Sequence, residues 1–157
     1  MKILFICSGN ICRSPMAAEL LRARARGAGM EDLVVDSAGT LGIEGEPASR
    51  ETIAAAREIG LDVTSHRSKG VTEAGVRGAD LVLVMERQHL DDLARRFRGP
   101  GRRLLLGAFE HGPEPRDDAR DVDDPHGDPI GVHRVCLGTI EGCVDNLLRF
   151  LERPPAP

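Results

Sequence analysis

Along the 157 residues, short apolar runs alternate with stretches of helical character, and this alternation limits the chain to few architectures. Ile3-Leu4-Phe5-Ile6 marks a first strand over about 2–6, Leu33-Val34-Val35-Asp36 a second that ends in Ser37-Ala38-Gly39-Thr40, Leu81-Val82-Leu83-Val84-Met85 a third and Arg103 to Leu106 a fourth. Helices are expected over about 15–26, 48–59, 87–97 and 131–151, with a short turn of helix near 72–77. Ser14 reads as the N-cap of the first, with Pro15 at its first position; Gly27 and Gly29 end it. In the last, Val132, Val135, Cys136, Ile140, Cys143, Val144, Leu147 and Leu151 recur at helical period. Strands separated by helices make a parallel sheet with helices on both faces, a three-layer α/β fold. No repeat interrupts the pattern, so residues 1–157 read as a single domain. Residues 110–130 are rich in Pro, Gly and Asp and read as loop.

In such sheets ligands bind beyond the carboxyl ends of the strands. The segment that follows the first strand is Cys7-Ser8-Gly9-Asn10-Ile11-Cys12-Arg13-Ser14-Pro15. Backbone N–H groups at a strand-to-helix turn converge on an oxyanion, and the helix N-terminus adds partial positive charge. Arg13 can grip two oxygens side by side. The same field favours thiolate over thiol at Cys7. Gly9 is expected to allow a backbone twist that a side chain resists, and Asn10 tolerates the left-handed conformation while its amide braces the loop.

Composition removes several alternatives. The net charge of −4, without a basic stripe or interleaved aromatics, gives no footprint for nucleic acid. No apolar stretch reaches the ~20 residues of a membrane helix. Met1-Lys2 runs straight into the first strand, leaving no room for a signal peptide, so a cytoplasmic location is expected. The four cysteines, Cys7, Cys12, Cys136 and Cys143, suit neither a disulfide framework nor a zinc site. Cys136 and Cys143, on one helical stripe, read as buried core thiols. No metal or cofactor is expected.

Cys-x5-Arg-Ser after the first strand resembles the signature of the low-molecular-weight protein tyrosine phosphatases. Further segments match that family in order: Asp36-Ser37-Ala38-Gly39-Thr40, Ser65-His66, Asp80-Leu81-Val82-Leu83-Val84-Met85 and Asp124-Pro125-His126-Gly127. The resemblance covers essentially the whole chain. It implies a flavodoxin-like four-stranded parallel sheet and metal-free hydrolysis of phosphomonoesters through a thiophosphate intermediate on Cys7. It also implies that residues Ser8 to Arg13 bind the phosphoryl group, or inorganic phosphate or a similar oxyanion. Ser14 would steady the thiolate, and Asn10, Ser14, Ser37 and His66 would form a brace beneath the loop.

A leaving phenolate needs a proton. Asp117, Asp118, Asp121, Asp123, Asp124 and Asp128 all lie in the acidic stretch, and both Asp124 and Asp128 precede a proline. The family pattern, with a glycine soon after and the last helix several residues on, selects Asp124. Cys12 reads either as the partner of a reversible disulfide with Cys7, as in many family members, or as a small apolar filler.

The implied substrate is a phosphotyrosyl protein, a bacterial tyrosine kinase among the candidates. The chain departs from the family in having no Trp or Tyr; Leu41, Ile43 and His126 occupy the places of rim aromatics. Ser8 replaces a more usual apolar residue, and Glu86 follows Met85 where Asp is common. A protein-arginine phosphatase of the same family is the nearest alternative; such members carry Thr where this chain has Ile11. An arsenate reductase would need redox cysteines near the middle of the chain, and none lies between Cys12 and Cys136. A non-catalytic phosphate-binding module would have no use for Cys7, Arg13 and Asp124 together.

Overall fold

The computed structural model describes residues 1–99 and 101–153. Its elements run β1 (Lys2–Cys7), α1 (Arg13–Gly27), β2 (Val34–Gly39), α2 (Arg50–Glu58), α3 (Glu73–Arg77), β3 (Leu81–Val84), α4 (Arg87–Arg96), β4 (Arg102–Leu105), a 3-10 turn (Leu106–Phe109) and α5 (Ile130–Leu151). The four strands form one parallel sheet in the order β2-β1-β3-β4, the flavodoxin-like arrangement expected. The chain leaves β1 to build β2 on one side and then returns to build β3 on the other. The loop after β1 therefore sits where the strand order reverses, the crevice where such sheets bind ligands.

The alternation of side chains across each strand divides the core in two. Ile3 and Phe5 of β1, with Leu81 and Leu83 of β3, face a cluster built on α1 and α5. Leu4 and Ile6, with Val82 and Val84, face the opposite cluster, which takes Val76 of α3 and Leu93 of α4. Both faces of β1 and β3 are covered, which is why these strands are continuously apolar. No helix among the described residues is long and apolar enough to cross a membrane.

Strand two runs from Val34 to Gly39, with Ser37, Ala38 and Gly39 paired with Phe5, Ile6 and Cys7. Three sequence expectations need correction. Helix one begins at Arg13, and no side chain caps it, so Ser14 is not an N-cap; its hydroxyl turns back to the loop instead. In α5, Val132 and Val135 lie outside the buried stripe, with Val135 72% exposed, while His133 and Leu137 lie within it. The left-handed residue of the loop is Asn10, at φ 56°, and Gly9 has an ordinary negative-φ backbone. The nearest atoms a Cβ on Gly9 would meet belong to Ile11 and Ile43, at 3.6–3.8 Å, which is ordinary van der Waals contact.

Candidate active site

Cys7 ends β1, and residues 8–12 curl over its sulfur before α1 begins. Two donors reach Cys7 Sγ. The backbone N–H of Asn10 lies at 3.2 Å and Ser14 Oγ at 3.0 Å. Ser14 Oγ accepts from Asn10 Nδ2 at 2.8 Å, so its own proton is free for the sulfur.

Asn10 is wholly buried, and the surrounding structure uses each of its polar groups. The second Nδ2 proton goes to Ser37 Oγ at 2.9 Å, Oδ1 accepts the Lys69 N–H at 3.0 Å, and the carbonyl accepts from His66 Nε2 at 2.7 Å. A left-handed residue costs free energy outside glycine, and this set of bonds holds it in place. Burial lowers the proton affinity of His66, so its ring stays a neutral donor. The loop is also tied to the end of β2: Thr40 and Leu41 donate to the carbonyls of Cys7 and Ser8, each at 3.0 Å. Gly39 is required beneath it. A Cβ there would sit 2.6 Å from the Ser8 carbonyl oxygen and 2.9 Å from the Asn10 nitrogen.

Arg13 is 1% exposed although it lies in the first turn of a helix. Its Nη1 donates to Glu86 Oε1 and, at 2.8 Å, to the Val122 carbonyl. Its Nη2 pairs with Asp124 Oδ2 at 3.0 Å. Nε has no hydrogen-bond partner among the described residues. Desolvation weakens the charged guanidinium, but the bond to Glu86 and the charges of Cys7, Asp124 and Glu86 outweigh it and raise its pKa. A permanently charged, buried fork with a spare donor is suited to a tetrahedral oxyanion.

The pocket above the loop is lined by Ser8, Gly9, Ile11, Cys12 and Arg13, by Leu41 and Ile43 after β2, and by Asp124 and His126. The acidic stretch thus contributes Asp124, and its loop is turned locally by the His126 N–H donating to Asp124 Oδ1 at 3.2 Å. Asp128 is exposed, gives its N–H to the Pro125 carbonyl and does not line the pocket. Cys12 points toward Ser49 Oγ, at 3.5 Å, and His126 Nδ1, at 3.8 Å, and burial pushes its thiol up. All four cysteines are free thiols; Cys136 and Cys143 are buried, and burial pushes each to about 12.

The structure brings Cys7, Asn10, Arg13, Ser14, Ser37, His66 and Asp124 together. The sequence reading missed the Val122 carbonyl, noted Glu86 only as a departure, and passed over His89. That histidine is buried in α4, with Nε2 2.9 Å from Ser8 Oγ and Nδ1 3.1 Å from the Glu86 nitrogen. Its spacing of three residues from Glu86, at a helix start, is the one local signal that could have drawn attention to it.

A family model described as low molecular weight phosphotyrosine protein phosphatase matches residues 2–155. A protein-arginine-phosphatase of Geobacillus stearothermophilus is 34% identical over 152 residues, covering 96% of each chain. A low molecular weight protein-tyrosine-phosphatase of Streptomyces coelicolor is 35% identical over 154 residues, covering 94% of this chain and 91% of its own. Among solved structures, a YwlE arginine phosphatase with a phosphorylated active-site serine superposes with a TM-score of 0.89. It is 29% identical and covers 99% of this chain and 98% of its own.

Proposed function

The chain belongs to the low molecular weight phosphotyrosine protein phosphatase family, and from that premise we propose that its pocket hydrolyses phosphotyrosine in protein substrates. The observation that carries this reading is the pairing of Arg13 with Cys7. A buried guanidinium, anchored through Nη1, lines the pocket with Nε–H unpartnered among the described residues, and the charge of Cys7 acts on it, while the Cys7 sulfur accepts two hydrogen bonds at the start of the same loop.

In the proposed reaction Cys7 thiolate attacks phosphorus in line. The S–P bond forms as the P–O bond to the tyrosyl oxygen breaks, and Asp124 delivers its proton to that oxygen. Arg13 and the backbone N–H groups of residues 8–13 hold the remaining oxygens as charge spreads. Asp124 first has to exchange its ion pair with Arg13 Nη2 for a proton. A phosphoryl dianion on Arg13 takes over the Nη2 donor and so releases Asp124 from that pair. Asp124 then takes a proton from water as the water attacks phosphorus. The S–P bond breaks, and Ser14 Oγ, which already directs its proton at Cys7, stabilises the departing thiolate.

Ile11 supports an aryl ester over a phosphoramidate. Its branched apolar side chain lines the pocket, as do Leu41 and Ile43, and brings no hydroxyl to orient water. The likeness to two arginine phosphatases favours the second reading, phosphoarginine in proteins. A panel with chelator present separates them: phosphotyrosine peptide, phosphoserine peptide, phosphoarginine and a simple aryl phosphate. The expected order places phosphotyrosine first, Cys7→Ser abolishes turnover, and Ile11→Thr shifts the ratio toward phosphoarginine. Preference of the unmodified protein for phosphoarginine moves the substrate to the second reading; turnover surviving Cys7→Ser refutes the mechanism.

A further inference from the structure

The mechanism above uses Ser8 through its backbone. Its side chain is placed for more. Ser8 Oγ lies 2.9 Å from Nε2 of His89, a residue 81 positions away and 2% exposed. The other ring nitrogen, Nδ1, accepts the backbone N–H of Glu86 at 3.1 Å. An accepting nitrogen carries no proton, so in the neutral ring the proton is on Nε2 and is donated to Ser8 Oγ. Arg13 Nη2 approaches the same oxygen at 3.5 Å. Both neighbours are donors, and neither uses the hydroxyl proton of Ser8. Ser8 lines the pocket together with Arg13 and Asp124.

We propose that the Ser8 hydroxyl is a further oxyanion donor of this pocket, and that His89 is the positioning residue that keeps its proton directed at the bound phosphoryl group. The proposal rests on the phosphatase reading of the site. A hydroxyl bonded to an anionic oxygen is stronger than one bonded to a neutral acceptor, so the donor gains most when a dianion is present. Glu86 links the two devices: its carboxylate holds Arg13 and its backbone N–H fixes the His89 ring. Burial holds His89 below its ordinary proton affinity. Arg13 acts in the same sense, against Glu86, Asp121 and Asp124.

The test measures binding of inorganic phosphate by calorimetry beside turnover of an aryl phosphate. The proteins compared are wild type, Ser8→Ala, Ser8→Thr, His89→Leu and the double variant Ser8→Ala/His89→Leu. Ser8→Ala is expected to weaken phosphate binding and lower kcat/KM by about tenfold, the scale of one charge-assisted hydrogen bond. Ser8→Thr keeps the hydroxyl and should stay close to wild type. His89→Leu should reproduce the loss of Ser8→Ala, and the double variant should be no worse than Ser8→Ala alone. If His89→Leu does not fold, His89→Gln, whose amide offers one donor and one acceptor, should retain phosphate affinity. A further loss from His89→Leu in the Ser8→Ala background overturns the proposal, as does wild-type phosphate affinity in Ser8→Ala. Phosphate binding by wild type without turnover refutes the phosphatase reading and this inference with it, as does no phosphate binding at all; unchanged phosphate affinity of Ser8→Ala in an active enzyme refutes this inference alone.

Discussion

Asn10, Arg13 and Ser14 are each at most 1% exposed, whereas Asp124, across the same pocket, exposes 41% of its side chain. The loop over Cys7 is held by Ser37 of β2, by Thr40 and Leu41 just beyond that strand, and by His66 and Lys69. The acid-bearing segment is tied mainly through its backbone, and the ties of Asp124 itself are an ion pair and a local turn. Val122 donates its N–H to the Met85 carbonyl at 2.8 Å and receives Arg13 at its own carbonyl, Cys136 Sγ reaches the Asp123 carbonyl at 3.7 Å, and His126 N–H donates to Asp124. The difference follows from what each region has to do. Donors that stabilise developing charge work only if they are already in position, since reorganising them would cost the energy they supply. A proton donor has to change partners, from Arg13 to a leaving group to water, and so needs exposure and freedom.

Removing the exchangeable proton tests this contrast most severely. Asp124→Asn should slow hydrolysis of esters with poor leaving groups by about 10²–10⁴-fold, and those with good leaving groups far less, with phosphate affinity not weakened, since the carboxylate that competes for Arg13 Nη2 is gone. Leaving-group series on the variant and wild type decide it. A larger effect from Asp128→Asn would move the adaptable half of the site elsewhere.

The two halves each rest on a glycine, and these sharpen the comparison. Gly39 underlies the loop, and a Cβ on Gly107 would fall 2.0 Å from the Arg120 carbonyl oxygen, in the segment leading to Asp124. Backbone has to shift in both cases, at a cost of about 1–3 kcal/mol in stability. Gly39→Ala should weaken phosphate binding and slow every substrate alike. Gly107→Ala should leave phosphate binding near wild type and change the leaving-group dependence. Matching profiles from the two variants would erase the distinction drawn here.

The smallest effect expected is on acid stability. Burial lowers the proton affinity of His66, which braces the loop, and of His89. Below about pH 6.5 the unfolded chain takes up protons that these buried rings refuse, so stability is complete above that pH and declines as the pH falls further. Urea unfolding at pH 8, 6 and 5 measures the slope, and His66→Gln should flatten it. An unchanged slope would mean that His66 is not held neutral by the loop.

Most of the loop was legible because its chemistry is contiguous. Cysteine, glycine, asparagine, arginine and serine occur within eight residues after an apolar strand, and local backbone geometry alone brings their groups to one point. The sheet was legible for a similar reason: two strands buried on both faces have to be continuously apolar. Asp124 was singled out through a family pattern, since six carboxylates in one acidic stretch look alike until a fold chooses among them.

Sequence by itself determined the layered architecture, the nucleophile candidate at the end of β1 and the arginine six residues on. Tertiary structure decided that Glu86 and the Val122 carbonyl hold Arg13, and that His89 reaches Ser8. It decided that Ser14 serves Cys7 and not the helix end, and that Val135 faces outward from α5. These outcomes depend on groups 73, 109 and 81 residues apart, or on which helix face meets the sheet. Hydrophobic periodicity reports that a face is buried, but only the packed layers select which polar groups meet at its edge.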